Sequence, residues 1–258
     1  SRINWGPVTE KGILPWTEAK FKELGEENPN VFNDLDGFDY EAIAGADPDI
    51  IVAPYSGMEK KEYDRLSEIA PTIPFKDIAW KTTWREQLIE AAEAVGRKAE
   101  GEKIVADTDA FIKETMAKYP ELAGKSAALC YISAADLSNF SVYRTIDPRA
   151  GYLVDMGFRF PEKVEEQATD KDSFYVQISS ELAVETLSDL DIIITYGDDK
   201  TFDAIKNDAI FSKIPAVRDG RVVVLDNKGS LSAACNPSVL SIKAELTSYL
   251  DAISAVVK

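Results

Sequence analysis

The chain has 258 residues, enough to bury a substantial core and near the length at which one core divides into two. With 45% hydrophobic and 29% charged residues it has a globular composition, and no apolar run approaches the roughly 18 residues that cross a bilayer. A net charge of −16 disfavours nucleic acid and anionic lipid as partners. The absence of histidine removes the commonest general base and transition-metal ligand.

The first 35 residues carry little periodic signal: Trp5, Pro7, Gly12, Pro15 and Trp16, then a short amphipathic piece, WTEAKFKEL. The opening SRINWGPVTEKG has no apolar h-region, and because a mature chain would also lack one, location stays open. From Asp39 the pattern sharpens. Asp39 is placed to cap a helix whose apolar face is Tyr40, Ile43 and Ala44, ended by Pro48. DIIVA then reads as a short strand buried on both faces. Ser56 and Glu59 fit a capping box ahead of GMEKKEYDRLSEIA, and PTIPF reads as a further strand. Thr83 and Glu86 form a second box, opening a helix with Trp84, Leu88, Ala91, Ala92 and Val95 along one stripe and Gly96 at its end. A longer helix follows over about Glu100 to Lys118, its face set by Ile104, Thr108, Phe111, Ile112, Thr115 and Tyr119.

Beyond Gly124 strands and helices alternate. SAALCYI, FSVY, FYVQI, DIIIT and RVVVL read as strands. PRAGYLVDMG, SSELAVETLS, DKTFDAIKN and the terminal NPSVLSIKAELTSYLDAISAVV read as helices. That alternation predicts a parallel sheet built from βαβ units, a complete α/β lobe. The first half offers only two convincing strands, too few for a stable parallel sheet of its own. Cys130 and Cys235 have no CxxC spacing, so they are either two separate buried thiols or, in an exported protein, a disulfide. No GxGxxG, GxxxxGK[ST], GxSxG or HExxH appears, so no catalytic residue is assigned and an enzyme is not expected. No metal-ligand set is assigned either.

One clause is written twice. DYEAIAGADPDIIVAPYSG, Asp39 to Gly57, is echoed about 140 residues later by SSELAVETLSDLDIIITYGDD. Each passes through a glutamate, a short helix, an aspartate and an aliphatic triplet, and closes on a tyrosine beside a small residue. Ligands of open α/β sheets sit beyond the carboxyl ends of the strands. Tyr55 with Ser56, and Tyr196, follow such ends.

Six phrases in order carry a resemblance: GFDYEAIAGADPDIIVAPYSG, EYDRLSEIAPTIPF, TTWREQLIEAAEAVGRKAEGEKI, VYRTIDPRAGYLVDMGFRFPE, ISSELAVETLSDLDIIITYG and IFSKIPAVRDGRVVVLD. Over about Asp34 to the C-terminus the chain resembles the substrate-binding proteins of iron-siderophore and cobalamin ABC importers, and is close to the ferric-siderophore branch. The resemblance implies an α/β protein of two Rossmann-like lobes joined by a single long rigid helix. The N-terminal lobe would be 1–98, the inter-lobe helix 99–120 and the C-terminal lobe 121–258. It implies an extracytoplasmic, monomeric binding protein, periplasmic or a cell-surface lipoprotein, that captures a ferric siderophore in a cleft between the lobes. By motif, Glu41 and Glu181 dock on the permease; from the helix alone they are only acids favoured in a first turn. The family normally opens with a strand, helix and strand before the matched region, so roughly 40 to 50 residues of the first lobe are expected to be missing.

A ferric siderophore arrives with its iron already chelated, so no cofactor and no protein ligand to the metal is expected, only aromatic walls and a few donors. The ligand-binding candidates are Tyr55, Ser56, Trp80 and Trp84 from the first lobe and Tyr143, Arg144 and Tyr196 from the second. Trp84 sits on an apolar stripe and fits core packing equally well, while Arg144 could instead pair with Asp147 or Asp155. A cobalamin- or haem-binding protein of the same transporter class is the alternative within the resemblance; an α/β enzyme without a recognisable motif is the alternative outside it.

Overall fold

The computed structural model describes residues 5–32 and 37–257. The chain divides into two compact units: residues up to Asp109 together with Ser238–Ala244, and Ala110–Pro237 together with the residues from Glu245 onward.

In the first unit α1 (Pro15–Glu23) is followed by α2 (Tyr40–Gly45), β1 (Ile51–Val52), α3 (Lys60–Ser67), β2 (Thr72–Ile73), α4 (Trp84–Ala94) and the opening turns of α5 (Lys98–Met116). Asp39 does cap α2, accepting from the Ala42 amide at 3.0 Å, which satisfies one donor that a helix start leaves orphaned. β1 and β2 pair in parallel, Ile51 with Thr72 and Val52 with Ile73, across α3. Ile43, Met58 and Leu66 form the core beside them, with Phe32, Tyr63 and Phe75 packed around. Two expectations change here. Val52 is exposed, because a two-stranded ribbon has no layer to bury both faces. The capping box of α3 is Glu59 with Glu62, not Ser56 with Glu59, since the helix starts later and the Ser56 hydroxyl is engaged with the Ala53 carbonyl at 2.8 Å. The Thr83–Glu86 box at α4 is present as read. α5 runs two residues earlier than expected at each end, burying Thr108, Ile112 and Thr115 but leaving Ile104 exposed. Gly101 lets it lie close on α4: a Cβ there would stand 2.5 Å from that of Ala92.

The second unit holds β3 (Ala127–Ser133), β4 (Asp136–Tyr143), α6 (Pro148–Asp155), α7 (Glu162–Glu165), β5 (Tyr175–Ser179), α8 (Ser180–Thr186), β6 (Ile192–Gly197), α9 (Thr201–Asn207), α10 (Pro215–Arg218), β7 (Val222–Asp226), α11 (Ser230–Ala234) and the later turns of α12 (Val239–Ala255). The strands form one sheet in the order β5-β4-β3-β6-β7. β3, β6 and β7 are parallel, with Cys130 opposite Thr195 and Thr195 opposite Val224. β4 runs antiparallel to both β3 and β5, so the sheet is mixed and not wholly parallel. Only Ala134 and Ala135 separate β3 from β4, and a parallel return needs a crossover of about a dozen residues. The parallel centre is buried on both faces: Ile192, Ile193 and Ile194 are inaccessible, as DIIIT suggested. Ser126 ties the start of β3 to β6, its amide donating to the Asp191 carboxylate at 2.8 Å. Cys130 and Cys235 are separate buried thiols.

Candidate functional site

In the first unit β1 runs into Ala53-Pro54-Tyr55-Ser56-Gly57. The Ala53 amide keeps the ladder going, donating to the Ile73 carbonyl at 2.8 Å, and the Ser56 hydroxyl folds the loop back on Ala53. Ser56 is therefore buried and its hydroxyl satisfied by backbone. The Trp80 amide donates to the Ser56 carbonyl at 3.2 Å, and its indole meets the Tyr55 ring edge-to-face, with centroids 5.2 Å apart. Trp80 remains 50% exposed and has a φ of 65°, a left-handed conformation that is strained for a bulky side chain. Trp84, by contrast, is 2% exposed beneath the Arg85 guanidinium, which lies 4.4 Å from its ring centroid. The structure brings Tyr55 and Trp80 together on one surface and places Trp84 in the core.

In the second unit three strand-end segments converge. Tyr143 closes β4, Asp147-Pro148-Arg149 opens α6, and Tyr196 lies near the end of β6. Asp147 caps α6, accepting from the Arg149 amide at 2.9 Å, and its two carboxylate oxygens take Nε and Nη2 of Arg149 at 2.9 and 2.7 Å. This fork fixes the guanidinium plane. It lies 4.1 Å from the Tyr143 ring centroid, while Nη1 stands 3.5 Å from the Tyr196 hydroxyl. Tyr175 meets Tyr143 edge-to-face, and the Tyr196 hydroxyl shares a proton contact of 3.0 Å with Cys235 Sγ.

The electrostatics follow from burial. Burial pulls the Arg149 pKa down, but the hydrogen-bonded Asp147 carboxylate, Tyr196 and Tyr143 together outweigh it and the pKa ends far above the usual arginine range. Burial, then the neighbouring Cys235, push the Tyr196 phenol far up, so it stays protonated. Burial raises the Cys235 thiol to about 11. The group thus offers one fixed cation, with donors beyond those held by Asp147, over aromatic faces. It offers neither phenolate nor thiolate. Among the described residues no group of three or more Cys, Asp or Glu is placed to hold a metal ion.

Arg144 lies elsewhere. It is 7% exposed, pairs with Glu165 through Nε at 3.1 Å and through Nη2, and donates from Nη1 to the carbonyls of Asp170, Lys171 and Ser173. Those bonds pin the loop between α7 and β5, so Arg144 is not part of the Tyr143–Arg149–Tyr196 group. Arg149, which is not among the sequence candidates, occupies that place. The available signal was Asp-Pro-Arg at a helix start directly after a strand end. Glu41 and Glu181 are exposed in the first turns of α2 and α8.

Residues 8–228 match the family described as periplasmic binding protein. The chain belongs to this family. It is a family of binding proteins and not of enzymes. The chain is similar to PiaA of Streptococcus pneumoniae TIGR4, solved in complex with ferrichrome: 42% identity, a TM-score of 0.92, and coverage of 100% of this chain and 85% of that one. It is also similar to two Bacillus subtilis (strain 168) proteins, the iron(3+)-hydroxamate-binding protein YxeB, at 27% identity over 82% of the chain, and the probable siderophore-binding lipoprotein YfiY, at 28% over 83%. The matches span 64% of YxeB and 65% of YfiY, so the chain covers less than two thirds of either relative's length. No helix among the described residues is long and apolar enough to cross a membrane.

Proposed function

We propose that the chain captures a ferric siderophore of the hydroxamate class outside the cytoplasmic membrane and delivers it to an ABC permease. The likeness along its whole length to a protein solved with ferrichrome carries this reading. The geometry supports it. A hydroxamate chelate presents oxygens that already hold the iron, so its receptor needs a fixed cation and aromatic faces but no metal ligand. Arg149 on Tyr143, with Tyr196 beside it, supplies the cation in the second unit, and Tyr55 with Trp80 supplies an aromatic surface in the first. The ligand role expected of Arg144 passes to Arg149; Ser56 shapes its loop and Trp84 belongs to the core. The assignment of 1–98, 99–120 and 121–258 as lobe, connector and lobe, the monomeric state, the extracytoplasmic location, and the docking of Glu41 and Glu181 on the permease belong to the same proposal.

Titration with ferrichrome, ferric enterobactin and cobalamin, read by tryptophan fluorescence, tests it. Ferrichrome is expected to give saturable one-site quenching in the sub-micromolar range, because half-exposed Trp80 lies at the proposed surface. Quenching by the catecholate or by cobalamin alone would move the ligand class, and silence with all three would overturn the reading. Glu41→Ala and Glu181→Ala are expected to titrate like the parent while lowering uptake in a reconstituted importer; weakened binding in solution would reassign them.

A further inference from the structure

Gly57 stands where almost any side chain would collide with Trp80. A Cβ built on it would lie 2.7 Å from the indole Nε1 and 3.0 Å from Cε2 and Cζ2. These are closer than non-bonded carbons approach, so one group would have to move. Backbone conformation is not the reason for glycine here, since Gly57 is not among the residues of positive φ. What the missing side chain provides is room for the indole. Trp80 reaches that place through a left-handed backbone, φ 65°, anchored by its amide on Ser56, and its ring closes edge-to-face on Tyr55. Four residues of two loops thus fix one half-exposed aromatic ring without burying it.

We propose that Gly57 is the positioning residue that seats the Trp80 indole against Tyr55 and thereby sets the shape of the aromatic surface offered to the chelate. The part concerning ligand rests on the hydroxamate reading; the part concerning the ring does not. An exposed indole can swing aside at little cost in stability, unlike a core ring, which would be trapped by its neighbours. A methyl at position 57 therefore displaces Trp80 without unfolding the unit, and the effect appears in binding and in the environment of the ring.

The experiment is a double-mutant cycle of Gly57→Ala and Trp80→Ala, followed by ferrichrome titration, thermal melting and near-ultraviolet circular dichroism of the ligand-free proteins. In the parent background Gly57→Ala is expected to weaken ferrichrome binding roughly ten-fold, the scale of one aromatic contact, with the melting temperature held. The Trp–Tyr dichroic band of the ligand-free protein should change as well. In the Trp80→Ala background the same substitution should alter neither affinity nor the remaining dichroism. Parent-like affinity and dichroism for Gly57→Ala, or an effect that persists undiminished without Trp80, would overturn the proposal. If the parent binds no ferrichrome, the hydroxamate reading fails by itself, and the ligand-free dichroism still decides whether Gly57 seats the ring.

Discussion

Arg149→Ala is expected to weaken ferrichrome binding by about 3 kcal/mol, or roughly a hundred-fold in Kd. The guanidinium is held by the Asp147 fork and the Tyr143 face before any ligand arrives, so little ordering cost falls on binding. A hydrogen bond to a charged group contributes more than a neutral one, and partial burial sharpens it. The substitution also leaves Asp147, 4% exposed, without its counter-ion, which destabilises the fold by itself. The two effects separate in the double variant Asp147→Asn/Arg149→Ala. Removing the orphaned charge should restore most of the melting temperature, while affinity stays low. Arg149→Lys should recover only part of the affinity, because an ammonium can make neither the two-pronged contact with Asp147 nor the same stacking on Tyr143. Recovery of both stability and affinity in the double variant would show that Arg149 acts only as a strut.

Arg144→Ala should do the opposite. It removes the partner of Glu165 and the donor to three backbone carbonyls in the loop between α7 and β5. Losing the hydrogen bonds of this buried guanidinium costs about 3 kcal/mol here, a fall of roughly 6–12 °C in Tm for a chain of this size. Ferrichrome affinity measured well below the transition should stay close to the parent's. The pH dependence has a definite sign. The hydrogen bond from Arg144 holds the Glu165 carboxyl below its usual 4.5, so the pair stabilises the fold above that pH and is lost as pH falls through the lowered value. The deficit of the variant should therefore narrow on acidification without vanishing, since the carbonyl contacts do not titrate. An unchanged melting temperature with lost binding would return Arg144 to the ligand.

The contrast between these arginines marks where sequence stops being informative. Both follow a strand end, five residues apart, and both have acids nearby. Only the fold shows that Glu165 and three carbonyls consume the donors of Arg144, while Asp147 merely orients Arg149. Local chemistry read more easily: Asp39 and Thr83 cap the helices assigned to them, and the isoleucines of β6 are buried on both faces. β4 was harder, because Asp136, Ser138 and Asn139 extend the strand on an exposed arm with no apolar alternation to betray it. FSVY is therefore only the end of a strand that begins at Asp136. The seat of Trp80 on Gly57 has no signature in one dimension at all; two residues 23 positions apart meet only in the folded loops.

The most direct test is a structure of the protein with ferrichrome bound. The Arg149 guanidinium should donate to an iron-bound hydroxamate oxygen at about 2.7–2.9 Å. Trp80 and Tyr143 should lie against the chelate, and every ligand to the iron should come from the siderophore. A chelate seated away from Arg149 and Trp80, or iron stripped from it and held by Tyr196 or Cys235, would contradict it.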